Sequence, residues 1–216
     1  MTLKPIKPAP GALIPTAREL WGASREKLTE ASFSINMMEK ATDRVQYEQA
    51  WSNFVDAIQE FWVRFFDEGK KKFSNFQPWA GRNYPKRDPL IKYLVEARNL
   101  SQHSVLHLKW EAPRLELAPG FSGHIKRIKF YPNGMQDIDS TPAHASVSDA
   151  EFVYAKSTPS LPSIINNHGQ NILPPTSHLE KSLDDQSPVT VAKIGLNFYI
   201  DIHNKAIDIF LKNSSK

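Results

Sequence analysis

The chain has 216 residues, 40 % hydrophobic and 11 % aromatic, which suits a globular protein with a real core and excludes an intrinsically disordered one. It has no cysteine, which excludes disulfide staples, thiolate metal sites and a cysteine nucleophile. The net charge of +4 is mildly basic, compatible with nucleic acid without being diagnostic of it.

Residues 1–15 contain Pro5, Pro8, Pro10 and Pro15 and read as an extended arm. These prolines break any signal-peptide core, and no run of about 18 apolar residues occurs. The expectation is a cytoplasmic protein with no membrane span. Thr16 and Glu19 form a capping box for a helix over 17–40, with Leu20, Leu28, Ala31, Ile35 and Met38 at helical spacing. Thr42 or Asp43 caps a second helix. Its apolar stripe is Tyr47, Trp51, Phe54, Val55, Ile58, Phe61, Trp62 and Phe65, and Gly69 ends it. A short joint makes the two an antiparallel helical hairpin.

Residues 70–87 read as a loop. Lys70, Lys71, Lys72, Arg82, Lys86 and Arg87 alternate there with Phe73, Phe76, Trp79 and Tyr84. Cations pair with phosphates and rings stack on bases, so the six basic residues are candidate RNA-binding residues. The competing reading is a solvated loop whose aromatics fold back onto the hairpin.

Asp88 caps a third helix and Pro89 takes its first position, with Leu90, Ile91, Leu94, Val95 and Ala97 toward the core. Residues 113–160 change character and read as a small antiparallel β insertion. Its first hairpin runs from His124 through Pro132-Asn133-Gly134 to Ile138, and 149–156 supplies a third strand. Residues 157–187 read as irregular. Ser187 and Pro188 start a final helix with Val191, Gly195, Phe198, Tyr199, Ile202 and Ile209 as its buried stripe. The fold class is mainly α: four long helices in a single domain over 1–216, with the β insertion between the third and fourth.

The end of the third helix, "EARNLSQH" (96–103), carries the chemistry. Lys92, Glu96, Asn99 and His103 fall at steps of four, three and four, on one stripe. Arg98 projects about 100° away from Asn99, within swing of that stripe. An imidazole, an amide and a fixed cation suit metal-independent RNA cleavage. Histidine moves a proton near neutral pH, arginine stabilises the charged phosphorane, and asparagine orients either. Glu96 is a supporting candidate that biases His103. The bland alternative is a solvated helix end.

This segment resembles the HEPN superfamily, whose signature is an arginine, four to six residues and then a histidine, with a polar residue, often asparagine, right after the arginine. Here these are Arg98, Asn99 and His103. The resemblance implies a helical bundle, here a four-helix HEPN-like one. It also implies a homodimer that joins two motifs into one RNase site, needing neither metal nor cofactor. A role as a toxin or phage-defence effector follows, with an antitoxin or defence-system protein as partner. Some family members are inactive scaffolds, so a non-catalytic binding protein is the alternative. One departure matters: some HEPN toxins carry a modified tyrosine two residues after the histidine, where this chain has Val105. That form of control is not expected.

Other constellations are weaker. His103 and His107 stand four apart, but no glutamate lies between them. No glycine-rich phosphate loop occurs, and Asp184 and Asp185 read as a solvated loop pair.

Overall fold

The computed structural model describes residues 21–101, 107–111 and 158–211, together with the backbone of 114–117, 124–130, 136–141 and 152–155. The Thr16–Glu19 box, Leu20, His103 and Val105 lie outside the described residues. The chain divides into two compact units, one of residues up to Lys109 with Ser160 onward, the other Trp110–Pro159. Each is described by itself.

The first unit is helical. Helix α1 (Gly22–Lys40) buries Leu28, Ala31, Ile35 and Met38 as expected. Helix α2 (Arg44–Lys72) begins at Asp43, whose carboxylate accepts the Gln46 N–H at 2.9 Å. That bond makes Asp43 the cap. Ser24 meets Glu68, and Lys27 meets Glu60, so early α1 lies beside late α2 and the hairpin is antiparallel.

Two expectations for α2 need correction. Its Tyr47 and Trp62 are half-buried, on the edge of the stripe. Gly69 does not end it: α2 continues to Lys72. A Cβ on Gly69 would stand 2.4 Å from Cζ of Phe76. This glycine admits a ring.

The loop expected over 70–87 contains a helix, α3 (Phe76–Asn83). Its buried residues Phe76, Trp79 and Ala80 show helical spacing. Pro78 is tolerated because it sits in the first turn, where N–H groups have no intrahelical acceptor. Phe76 joins Trp21, Phe65 and Phe210 in one aromatic cluster, with ring centroids 5.2–6.1 Å apart.

Helix α4 (Pro89–Ser101) starts as its sequence predicts, with Asp88 Oδ1 accepting the Ile91 N–H at 3.0 Å. Leu90, Ile91, Leu94 and Ala97 are buried. Val95 is only half-buried, and Tyr93 takes the core place instead. Its hydroxyl donates to the Pro162 carbonyl at 2.8 Å, which satisfies its one polar atom.

Helix α5 (Pro188–Phe210) is capped by Ser187, whose Oγ accepts the Thr190 N–H at 3.3 Å. Val191, Gly195, Phe198, Tyr199 and Ile202 are buried, but Ile209 is 38 % exposed and falls off the stripe. A Cβ at Gly195 would approach Cδ1 of Leu94 to 2.6 Å, so α4 and α5 meet closely there.

The chain passes between the units through β1 (Lys109–Trp110) and β6 (Pro159–Ser160). In the second unit, β2 (Arg114–Leu117) pairs antiparallel with β5 (Phe152–Ala155). Strand β3 (His124–Phe130) pairs antiparallel with β4 (Gln136–Thr141). The register Phe130↔Gln136 matches the hairpin read from the sequence, although its turn, 131–135, lies outside the described residues. Among the described residues the strands form separate two-stranded ladders rather than one sheet.

Residues 158–187 are more ordered than their composition suggests. Strand β7 (Ile164–Ile165) pairs with β8 (Asn171–Ile172), and β9 (Ser177–His178) with β10 (Lys181–Ser182). Leu161, Ile164 and Ile172 are buried, and this anchoring holds a polar segment in place. Among the described residues there are five helices, and none is long and apolar enough to cross a membrane.

Candidate functional site

The last turns of α4 present Glu96, Arg98 and Asn99, all half-buried. Glu96 and Asn99 do share a face: Asn99 Nδ2 donates to Glu96 Oε2 at 3.4 Å. The other carboxylate oxygen of Glu96 accepts from Asn166 Nδ2 at 3.5 Å. Asn166 is itself fixed, because its Oδ1 accepts the N–H groups of His168 and Gln170 in the β7–β8 turn. Glu96 thus ties an amide of α4 to an amide of a distant turn.

Arg98 points elsewhere. Its Nε lies 4.0 Å from Asp56 Oδ1 on α2. Asp56 lines a groove with Lys27, Glu30 and Glu60, formed by α1 and α2. Lys27 bonds both Glu30 at 2.7 Å and Glu60 at 3.0 Å. Glu60 is held below the usual carboxylate range, chiefly by the Lys27 hydrogen bond, with the charges of Lys27, Arg64 and Arg98 adding to it. Arg98 therefore sits in a carboxylate neighbourhood. Lys92 is exposed one turn before Glu96. His103 lies outside the described residues.

The six candidate RNA-binding cations are all exposed. Lys70, Lys71 and Lys72 end α2, Arg82 is on α3, and Lys86 and Arg87 form the turn before α4. Lys70 pairs with Asp67 at 2.6 Å and its Nζ stands 5.4 Å from the Phe66 ring centroid. The interleaved aromatics divide. Phe76 and Trp79 are core residues, as the fold-back reading has it, and cannot stack on a base. Phe73 packs against Trp21 and Phe210. Tyr84 is half-buried and stacks on Trp62, with centroids 4.0 Å apart.

Asp56 and Asn166, which orient Arg98 and Glu96, carry no local sequence signal. Each lies some forty or more residues from its partner, and only packing brings the pairs together.

Three further histidines among the described residues lie elsewhere. His107 Nδ1 lies 3.3 Å from Glu48, which also accepts from Arg44. His178 meets Asp88, and His203 is buried among rings. Among the described residues, no three of His, Cys, Asp or Glu converge to hold a metal ion. Asp185 is exposed, as its solvated reading has it, and is also a structural group. It accepts from Ser187 N–H at 2.7 Å, Ser187 Oγ at 2.8 Å and Thr190 Oγ1, bracing the start of α5. The Thr190 and Ser187 bonds hold its carboxyl below the usual range.

Compared with family models, with curated proteins and with solved structures, the chain matches none of them.

Proposed function

We propose that the chain is a HEPN-like, metal-independent endoribonuclease acting as a homodimer, with Arg98, Asn99 and His103 as its reacting groups. The observation that carries the reading is the way neighbouring elements hold the motif. Asp56 on α2 faces Arg98, and Glu96, itself bonded to Asn166, faces Asn99. Arg98 is faced by a group of another helix, and Asn99 by a carboxylate of its own helix that a distant turn holds; fixed side chains are what a site needs to act at defined geometry.

In the proposed step, His103 of one motif takes the proton of the RNA 2′-hydroxyl. The 2′-oxygen attacks phosphorus, and the bond from phosphorus to the 5′-oxygen breaks. A protonated His103 from the second motif gives its proton to the leaving 5′-oxygen. Arg98 stabilises the charge on the phosphorane, and Asn99 orients the imidazole or the phosphate. Such an enzyme damages its own cell unless it is restrained, which suits a toxin or defence effector with an inhibitory partner protein.

A second reading, a non-catalytic HEPN-like binding or scaffold protein, is favoured by one specific observation. Asp56 competes with any phosphate for Arg98. Incubating purified protein with RNA in EDTA separates the readings. The endoribonuclease reading expects cleavage by the parent and loss of at least a hundredfold in Arg98→Ala and His103→Ala. Equal cleavage by parent and variants would sink it.

A further inference from the structure

We infer that a cleft beside α2 and α3, floored by Trp62, Phe66 and Tyr84 and edged by Lys86, binds a nucleotide of single-stranded RNA. The cleft has a volume of about 630 Å³, within the range of small-ligand sites, and it is open to solvent. An open cleft suits one unit of a strand whose neighbours run on across the surface.

The floor is a prebuilt stacking platform. Trp62 and Tyr84 lie face to face, with centroids 4.0 Å and planes 23° apart. The Tyr84 hydroxyl lies 3.2 Å from that of Tyr199, which is fully buried on α5. The platform is therefore fixed from beneath, and a base that stacks on it orders little new structure. Ser74 and Gln77 line the cleft as well, and offer donors and acceptors to a base edge.

The charge around the cleft selects an anion. Lys86 lines it, and Lys70 stands over Phe66, another lining residue. Lys71, Lys72, Arg82 and Arg87 are exposed on the same segment, and no acidic residue occurs between Lys70 and Arg87. Asp67, just before it, is already paired with Lys70. Stacking rings beside Lys86 and the exposed cations of this segment fit a base and its phosphates. The choice of RNA rests on the endoribonuclease reading, while the cleft rests on different residues from the α4 motif.

Gly81 gives the cleanest test. It lines the cleft, is exposed, and a Cβ there meets nothing within 4 Å. A Gly81→Leu side chain adds bulk at the wall of the cleft, where a Cβ has open space. The probe is a fluorescein-labelled single-stranded 2′-O-methyl RNA decamer, which lacks the free 2′-hydroxyl needed for cleavage. Binding to the full chain is read by fluorescence anisotropy, and melting temperatures check the fold of each variant.

Gly81→Leu is expected to weaken binding at least tenfold. Lys86→Glu is expected to weaken it several-fold and flatten the salt dependence, by a slope of about 0.7 or more. The inference is overturned if the parent does not bind, if it binds duplex RNA as tightly, if it prefers single-stranded DNA, or if a folded Gly81→Leu binds like the parent. Cleavage in EDTA is scored separately. Binding through the cleft without cleavage leaves this inference standing and removes the endoribonuclease reading. Cleavage with undiminished binding by Gly81→Leu does the reverse.

Discussion

Asp88 Oδ1 lies 3.0 Å from His178 Nδ1, joining the cap of α4 to the β9–β10 hairpin ninety residues away. The same carboxylate accepts the Ile91 N–H at 3.0 Å and the Leu179 N–H at 2.6 Å. Leu179 and Glu180 form the two-residue turn between β9 and β10, and both have positive φ, 47° and 67°. Such turns favour Asn-Gly, so a Leu-Glu pair is strained, and Asp88 holds it in place.

Removing that carboxylate loses a helix cap and leaves the part-buried Leu179 N–H and the His178 imidazole without their acceptor. Asp88→Ala should cost about 2–4 kcal/mol in denaturant unfolding. Glu180→Gly should instead stabilise the protein, by about 1 kcal/mol, because glycine adopts positive φ without a Cβ clash. If Asp88→Ala unfolds at the parent's midpoint, the node is not structural.

The two packed glycines should behave differently from the two open ones. Gly69→Ala drives a Cβ into the buried Phe76 ring and should cost about 1–3 kcal/mol. Gly195→Ala meets the end of the Leu94 side chain, which can turn aside, and should cost less. Gly22 and Gly81 have open space, so alanine there should be neutral or stabilising by up to about 1 kcal/mol, from helix propensity. Thermal melts of the four variants check this order.

Stability should fall toward acid in two stages. His203 lies 5.9–6.1 Å, centroid to centroid, from Trp21, Phe61 and Phe65. Burial pushes its imidazole below the usual 6.5, the neighbouring Asn204 side chain works against that, and the charge of Arg25 adds to it. The folded state therefore binds the proton less readily than the unfolded chain. Its contribution is present above about pH 6.5 and is lost as pH falls from there through the folded value. At Asp88, burial pushes the carboxyl up, but the bonds from Leu179, His178 and Ile91 outweigh it and leave the group below 3.8. Its contribution is lost as pH falls below about 3.8. Chemical denaturation across pH 3–8 should show both declines, and His203→Phe should flatten the first one.

At the alkaline end, burial raises Tyr47 to about 12 and pushes Tyr93 and Tyr199 up as well. These phenols stay neutral in the fold while an unfolded chain begins to ionise near pH 10. Stability should then fall as pH rises above about 10. A flat unfolding midpoint between pH 9 and 11.5 would contradict their burial.

What the sequence made legible was local. Asp43, Asp88 and Ser187 each sit immediately before their helix and bond to its first turn; spacing identified Asp88 and Ser187 and left Asp43 beside Thr42. The α3 helix was hidden because Pro78, Gly81 and the lysine run are loop signals, although Phe76, Trp79 and Ala80 repeat helically. Gly69 was misread for a related reason: a glycine that stops a helix and one that admits a ring look alike in sequence. At the candidate site, the face shared by Glu96 and Asn99 followed from helix periodicity. Asp56, Asn166 and the Trp62–Tyr84 stack did not, because each depends on a residue brought in by tertiary packing.

The chemistry at Arg98, Asn99 and His103 is tested most directly by the ends of the RNA products formed in EDTA. Attack by the 2′-hydroxyl leaves a 2′,3′-cyclic phosphate on one fragment and a 5′-hydroxyl on the other. Mass spectrometry of the parent's products should show those ends, and the same digestion with His103→Ala should show almost none. Fragments ending in 3′-hydroxyl and 5′-phosphate, or products that persist in His103→Ala, would contradict the account.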